Sequence, residues 1–423
     1  MINKINNLFL YRLNYGLFVL LPLFLISGPF LADLALSLIA LIFLYQTYCD
    51  RQLLSYYKNK FVYFFLIFWL YLLFNSIFQN QNFDSLRVSF FYFRFIIFSL
   101  AIWHMLDIDE KILKNLFYSF LFCFGILIID GFYQLYFGYN ILGMPLIMDR
   151  VSSLFGDELV LGSYISRLFP ILFALVIYLY KDLNKFFLYI VSIIFILSET
   201  LVFVSGERSS FFFINLSAIF IIFLIKDFKK QRIITLLLSV VLISGITYFN
   251  DNAKQMIIDK SISQLTDNGL GGTSEEIYIF SWQHTEHYKS SLKMFNDNKL
   301  FGVGVKNFRI FCSDERYSLS DRTCNSHPHN TYIQLLGETG FIGFAFIFGF
   351  FMFFLYQVLR HFYFSFKKIY IFNDFEIALL SAILITLWPL VPTGSFFNNY
   401  INIIYIFPCG IFLWSRNHKK RLN

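Results

Sequence analysis

Four short polar clusters interrupt an otherwise apolar chain, and each carries side chains that can handle an anion or a proton. Charged groups inside apolar helices or at their ends are costly, so they are functional candidates by default. The clusters lie at residues 149–158, 205–210, 302–309 and 327–330, and Arg167 follows the first of them.

Arginine supplies most of the chemistry in these clusters, and one histidine accompanies it. The planar guanidinium of Arg150, Arg167, Arg208 or Arg309 can bind two oxygens of a phosphate at once. An unperturbed imidazole titrates near neutral pH, so His329 is expected to be able to take up a proton. Together these residues predict a site that binds an anionic substrate.

Each cluster also has a purely structural explanation. Arg208 could reach lipid headgroups or pair with Glu207. His329 could cap the helix that follows it, and the glycines of the third cluster could only form a turn. The acidic residues of the first cluster could cap the next helix.

Other catalytic signatures are absent from the sequence. His284 and His287 lack the i, i+4 spacing and the glutamate of a zinc-protease helix. There is no Walker loop and no G-x-S-x-G elbow. We therefore predict no metal, no cofactor and no nucleotide site, so the energy for a reaction must come with the substrate.

The composition places the elements that carry these clusters in a membrane. Of 423 residues, 57% are hydrophobic, 22% aromatic and only 14% charged, and 59 are Phe. A soluble domain carries about 25% charged residues. We predict an all-α polytopic membrane protein, because the apolar runs lack the alternation of a membrane barrel.

About twelve apolar runs are long enough to cross a bilayer. They lie near residues 8–27, 29–48, 61–78, 86–104, 112–137, 159–180, 186–205, 209–226, 233–250, 331–358, 376–394 and 398–415.

Lysine and arginine fall in alternate loops and at both termini, which predicts that both ends are cytoplasmic. The net charge of +7 is then a topology signal, and nucleic-acid binding is not expected. This alternation of basic and non-basic loops predicts three regions. Residues 1–250 form spans and short loops, residues 251–330 an outward-facing loop domain, and residues 331–423 three more spans with a basic tail. Within the loop domain we predict a helix from Glu275 to Asn296 and a turn at residues 301–304.

A resemblance emerges when the third and fourth clusters are taken together. His329-Asn330, nine residues, then Gly340-x-x-Gly343 resembles the signature of the O-antigen ligase and O-antigen polymerase superfamily. Residues 294–308 and the turn at residues 206–209 resemble two further family segments.

The resemblance implies a GT-C-type inverting glycosyltransferase of the bacterial inner membrane. It implies an undecaprenyl-diphosphate-linked glycan as donor and an acceptor hydroxyl on the periplasmic face. His329 would act on the acceptor hydroxyl, Arg208 would hold the diphosphate, and Asn330 and Arg167 would assist binding. Phe and Tyr side chains would pack the polyprenyl tail, so membrane lipid is a further partner.

One family residue is missing here. The second diphosphate arginine has no counterpart, because the aligned stretch at residues 283–288 reads Gln-His-Thr-Glu-His-Tyr. Arg309 or Arg150 could replace it, or His284 and His287 could supply weaker donors.

Several activities share such a site. A ligase with a lipid A-core acceptor, a polymerase and a protein O-oligosaccharyltransferase all fit, and a lipid-linked glycan flippase or a scaffold protein belongs to other classes. A flippase would show two-fold internal resemblance and no long outer loop.

Two cysteines fall in the outer loop. In an oxidising compartment Cys312 and Cys324 are expected to form a disulfide, with two free thiols as the alternative.

Overall fold

The computed structural model describes residues 2–79, 82–249, 251–259, 281–321 and 323–422. It confirms an all-α membrane protein, and no strand is assigned in these ranges. Within the described ranges, eight helical segments are long and apolar enough to cross a bilayer. They are Pro29–Cys49, Lys60–Phe78, Phe83–Ile108, Ile112–Phe137, Leu161–Asp182, Lys185–Val204, Lys229–Phe249 and Thr331–Ser365.

We number the principal helices in chain order, leaving short turns unlabelled. They are α1 Ile2–Val19, α2 Leu21–Ile26, α3 Pro29–Cys49, α4 Lys60–Phe78, α5 Phe83–Phe91, α6 Phe93–Ile108, α7 Ile112–Phe137, α8 Leu161–Leu179, α9 Lys185–Val204, α10 Arg208–Leu224, α11 Lys229–Phe249, α12 Trp282–Asp297, α13 Thr331–Ser365, α14 Asp374–Thr386 and α15 Asn399–Leu422.

Helix α8 lies at the centre of the bundle. Its side chains are buried almost throughout, and it packs against α7, α9, α10 and α14. A helix that is apolar all round must be surrounded by other helices or by lipid. Because α8 begins at the cleft described below, this packing fixes the cleft on the rigid core.

Two predicted spans differ from the observed helices. The run at 8–27 divides at Leu20 into α1 and α2. The run at 376–394 ends as a helix at Thr386, and an irregular loop follows over residues 387–398. This loop contains Pro389 and Pro392, which lack a backbone N–H and cannot continue a helix. The predicted count of twelve spans is therefore not confirmed.

One loop cation predicted from the charge pattern is instead buried. Arg232 is fully buried in α11, where its guanidinium pairs with Glu199 of α9 and lies 5.0 Å from the ring of Phe169. An ion pair satisfies both charges in a low-dielectric interior. Arg232 therefore ties α11 to α9.

The loop region is described in part. The predicted helix from Glu275 to Asn296 appears as α12, Trp282–Asp297, and residues 275–280 lie outside the described ranges. Its first turn is capped by Ser281, whose hydroxyl accepts the amide of His284 at 3.3 Å.

Candidate active site

A large cleft of about 1460 Å³ lies at the N-terminal ends of α8 and α10, beside the segment that follows α12. Its lining residues come from five parts of the chain: residues 25–29 at the junction of α2 and α3, residues 150–167, residues 206–212, residues 281–329, and the loop at 387–398 with the start of α15. Among the described residues, the acidic side chains that line it are Glu158 and Glu207. The cationic side chains that line it are Arg150, Arg167, Arg208, Lys306 and Arg309.

Arg150 and Arg208 occupy one wall of the cleft. Arg150 Nε donates to the Ser205 carbonyl at 2.9 Å, across a turn in which Gly206 has φ +69°. A Cβ at Gly206 would lie 2.9 Å from Arg150 Nε, so glycine is needed both for the turn and for the arginine. Arg208, the first residue of α10, lies within electrostatic range of Arg150. Burial lowers the pKa of Arg150, and Glu207 opposes that shift.

Glu207 joins two helix ends beneath these arginines. Its carboxylate accepts the amides of Gly162 at 2.6 Å and Ser163 at 2.8 Å, and the hydroxyl of Ser210 at 2.9 Å. It therefore caps the N-terminus of α8 from the neighbouring turn, where a negative charge is favoured. Burial nevertheless raises the pKa of this carboxyl above its usual range.

Arg167 lies one helical turn after Ser163 in α8. It is almost completely buried, yet it lines the cleft. Its guanidinium lies 4.7 Å from the ring of Phe213 and bonds the hydroxyl of Ser163. Stacking on an aromatic ring stabilises a partly desolvated cation. Arg167 thus provides a cation at the base of the cleft.

The segment carrying Arg150 is held by two buried polar residues of α7. Asp130 accepts the amide of Ile141 at 2.8 Å and the hydroxyl of Ser153 at 2.6 Å. Gln134 accepts the amides of Ser152 and Ser153 at 3.0 and 2.7 Å. Neither residue is among the predicted site residues, although a carboxylate inside an apolar span is a signal for Asp130.

Four histidines gather at the cleft. The ring of His329 lies with its centroid 4.2 Å from His327, 5.2 Å from His284 and 5.4 Å from His287. His284, His327 and His329 line the cleft, whereas His287 is buried behind them. His329 is held at φ +57°, a left-handed conformation that is rare outside glycine and costs energy.

Burial lowers the pKa of His284, His327 and His329, and repulsion from neighbouring histidines adds to the effect. The pKa falls to about 4 for His284 and for His327, and to about 3 for His329. Arg208 contributes to the shift of His284, and Arg309 to that of His327. The imidazoles are therefore neutral at pH 7, and a neutral ring nitrogen can accept a proton.

Asn330 supports the site from behind and is not among the residues that line the cleft. Its carbonyl oxygen accepts the amides of Tyr332 and Ile333 at 3.0 and 3.1 Å, which caps α13. Its amide nitrogen donates to the carbonyls of Pro389 and Val391 at 2.9 and 3.4 Å. The side chain is thereby committed to holding the 387–398 loop against His329.

Glycines allow residues 302–309, the third polar cluster, to pack against a break in helix α13. Gly340, at φ +63°, interrupts α13, and the Phe341 amide donates to the Lys299 carbonyl at 2.8 Å. The amides of Val303 and Gly304 donate to Gly337 and Glu338 carbonyls at 2.9 and 2.8 Å. The break thus exposes backbone groups that the loop then satisfies.

Glu338 orients the cationic turn beyond these glycines. It is fully buried, accepts the amide of Phe308 at 3.0 Å and pairs with Gln334 at 2.9 Å. Lys306, which sequence analysis missed, has φ +59° and lines the cleft with Arg309. Burial and then the nearby Arg309 lower the pKa of Lys306. This turn supplies a second cationic wall of the cleft.

Residues 191–348 match the family described as O-antigen ligase. This match supports the resemblance to the O-antigen ligase and O-antigen polymerase superfamily. Comparison with curated proteins gave no match. The family indicates, in general terms, an enzyme of O-antigen ligase or polymerase type that acts on a lipid-linked glycan and an acceptor.

The cleft extends beyond the O-antigen ligase match. Arg208 and His329 lie inside the matched segment, whereas Arg150, Arg167 and the 387–398 loop lie outside it. The chain segments flanking the match thus complete the charge and the walls of the cleft.

A disulfide joins Cys312 and Cys324, with their Cα atoms 5.0 Å apart. It closes the stretch between the turn carrying Arg309 and the segment leading to His329. Within the described parts of the chain, no three His, Cys, Asp or Glu side chains converge as metal ligands.

Proposed function

We propose that this protein is an O-antigen ligase-like inverting glycosyltransferase. It moves a glycan from undecaprenyl diphosphate to an acceptor hydroxyl, with a lipid A-core sugar as acceptor. The observation that carries the proposal is the cleft itself, which two groups of cations line together with a strained, neutral His329. A diphosphate is the anion that such a set of cations suits, and a neutral imidazole suits a hydroxyl.

In this proposal Arg208 and Arg150 hold the donor diphosphate from one wall. Both line the cleft, and Glu207 fixes the turn between them and α8. Lys306 and Arg309 approach from the other wall and take the place of the missing family arginine. Preorganised cations stabilise the charge that develops on the leaving diphosphate, because they need no reorganisation during the reaction.

His329 serves the acceptor. The acceptor oxygen attacks the anomeric carbon, the bond from that carbon to the diphosphate oxygen breaks, and undecaprenyl diphosphate leaves. The hydroxyl proton passes to the His329 imidazole and then to solvent. A single displacement of this kind inverts the anomeric configuration. A bound diphosphate raises the proton affinity of His329 through its negative charge, so the histidine becomes a better base when the donor is present.

The membrane arrangement is part of the proposal. The chain lies in the bacterial inner membrane with both termini cytoplasmic and the cleft periplasmic, as the lysine and arginine distribution favours. The regions 1–250 and 331–423 anchor the enzyme, and 251–330 supplies His329 and the second cationic wall. Exposed aromatic residues of the spans, such as Phe74 and Tyr63, contact lipid and are suited to a polyprenyl tail.

A reconstitution assay tests the proposal. The purified chain in liposomes receives an undecaprenyl-diphosphate oligosaccharide and, in separate reactions, lipid A-core, no further acceptor, or a protein acceptor. Transfer to lipid A-core that persists in EDTA is expected. Chain extension of the donor alone would identify a polymerase, and transfer only to protein an O-oligosaccharyltransferase. Donor translocation without any transfer would overturn the enzymatic proposal.

A further inference from the structure

The segment that carries Arg150 begins with an apolar hairpin, residues 138–150, which follows directly from the end of α7. Two isolated bridges shape it, Tyr139 with Pro145 and Ile147 with Arg150. We propose that the tip of this hairpin inserts into the lipid headgroup and upper acyl region of the bilayer.

The first support is the exposure of large apolar side chains outside any helix. Ile141 is 58% exposed, Leu142 65% and Met148 78%. Exposed apolar groups on a loop in water are unfavourable, at roughly 25 cal/mol per Å². In addition, residues 131–148 contain no charged residue and no histidine. A water-facing loop would normally carry some.

The second support is the backbone. Every N–H from Asn140 to Ile147 has an acceptor within the protein; Pro145 has none to donate. Asn140 alone accepts the amides of Leu142 and Met144, at 3.0 and 2.8 Å. A solvated loop can leave such groups to water, whereas a lipid-exposed one must satisfy them internally. The N–H groups of residues 140–147 meet this requirement.

The third support selects lipid over a protein partner. The apolar surface is continuous with that of the span α7, where Ile129 is 66% and Tyr136 82% exposed. Tyr133, Phe137 and Tyr139 pack together at the junction, with Tyr133 and Phe137 centroids 4.5 Å apart. Aromatic residues concentrate where a span meets the headgroups. The hairpin therefore continues a lipid-facing surface and is too short to cross the bilayer.

The hairpin is tied to the cleft through Arg150. Arg150 closes the second bridge of the hairpin, with Ile147 N and Arg150 N each donating to the other's carbonyl. The same arginine bonds the Ser205 carbonyl at the cleft wall. An inserted tip therefore fixes the height of Arg150 relative to the bilayer surface, where the headgroup of a lipid-borne anion lies.

Site-directed spin labelling of the full chain in nanodiscs tests the proposal. Single labels are placed at Leu142→Cys and, independently, at Met148→Cys, in a Cys49→Ser background without reductant, so that the Cys312–Cys324 disulfide stays closed. Ile129→Cys is the lipid-facing control and the exposed Asn296→Cys the water-facing control.

We expect both hairpin labels to collide with oxygen severalfold more often, relative to a water-soluble nickel chelate, than the label at position 296. Their depth should be shallower than that of position 129. Nickel accessibility equal to position 296 would place the hairpin in water and overturn the proposal. Protection from both reagents, with dipolar broadening between labels, would assign the surface to a second copy and overturn it equally.

Discussion

The carbonyl of His329 accepts a hydrogen bond from the amide of Thr393 at 2.8 Å. This bond joins the first residue of the histidine-asparagine pair to a loop more than sixty positions later in the chain. It is reinforced by Thr331, whose amide and hydroxyl both contact the Thr393 hydroxyl, at 3.2 and 3.0 Å. The left-handed backbone of His329 is therefore held from two sides, which fixes the direction of its imidazole.

Replacement of His329 by Ala should abolish glycan transfer while the protein inserts and accumulates normally. The reason is the loss of the proton acceptor, which contributes roughly 10²–10⁴-fold to such reactions. Transfer is measured by donor consumption and product mass in the reconstituted assay. His327→Ala is the matched comparison and should be less sensitive. Near wild-type transfer by His329→Ala would sink the mechanism.

Replacement of Arg208 by Lys should reduce transfer although the charge is kept. A lysine cannot form the two parallel hydrogen bonds of a guanidinium, and one charged hydrogen bond contributes about 1.5–3 kcal/mol, roughly 10–100-fold. Donor affinity and turnover are measured for Arg208→Lys and Arg208→Ala, with Arg150, Lys306 and Arg309 variants beside them. Full activity in both Arg208 variants would leave the residue with a merely structural role.

Replacement of Gly340 by Ala should destabilise the protein and impair transfer. The left-handed backbone costs an alanine about 1–2 kcal/mol, and the added Cβ would overlap the Leu300 carbonyl. Gly349 in the same helix is the matched control, because a Cβ there meets no atom within 4 Å and alanine favours a helix by up to ~1 kcal/mol. Thermal unfolding in one detergent compares the two. Equal midpoints would contradict the docking of the loop on the helix break.

Mass spectrometry after alkylation without reductant should find Cys312 and Cys324 unlabelled. Closing a loop across a separation of 12 residues stabilises by about 3 kcal/mol in the chain-entropy model. Cys49, which is exposed, is the internal positive control and should take up label. Labelling of both loop cysteines would mean that packing alone orders this segment.

Acidification should loosen the segment around the histidines. Their folded pKa values, about 4 for His284 and His327 and about 3 for His329, lie below the ordinary value near 6.5. Between the folded pKa values and about 6.5, a locally unfolded form of this segment therefore binds more protons than the folded form. The stabilisation is complete above pH 6.5 and is lost as pH falls toward 4, at about 1.4 kcal/mol per unit for each histidine that protonates only on opening.

Hydrogen exchange of residues 281–330 at pH 7.5 and 5.0, corrected for intrinsic rates, measures this effect. Peptides from α3, which contains no histidine, serve as the control. Equal protection of 281–330 at both values would show that the histidines titrate without opening the segment.

The sequence determined the class of this protein, because long apolar helices follow from local composition alone. It also pointed to His329 and several arginines that line the cleft, and to the cysteine pair that forms the disulfide, since charged and polar side chains are conspicuous in an apolar chain. The limits of α3, α4, α7 and α9 lie within a few residues of the predicted runs for the same reason.

Tertiary structure decided which of these residues meet. Lys306 was hidden in a turn motif, and the carboxylates of Asp130, Glu207 and Glu338 accept backbone amides from other segments of the chain. The loop at 387–398 appeared in sequence as part of a span, because a buried irregular loop is as apolar as a helix. Its role depends on hydrogen bonds from Asn330 and to His329, which no local pattern encodes. Residue types predict the available chemistry, whereas long-range packing and backbone pairing determine where that chemistry is assembled.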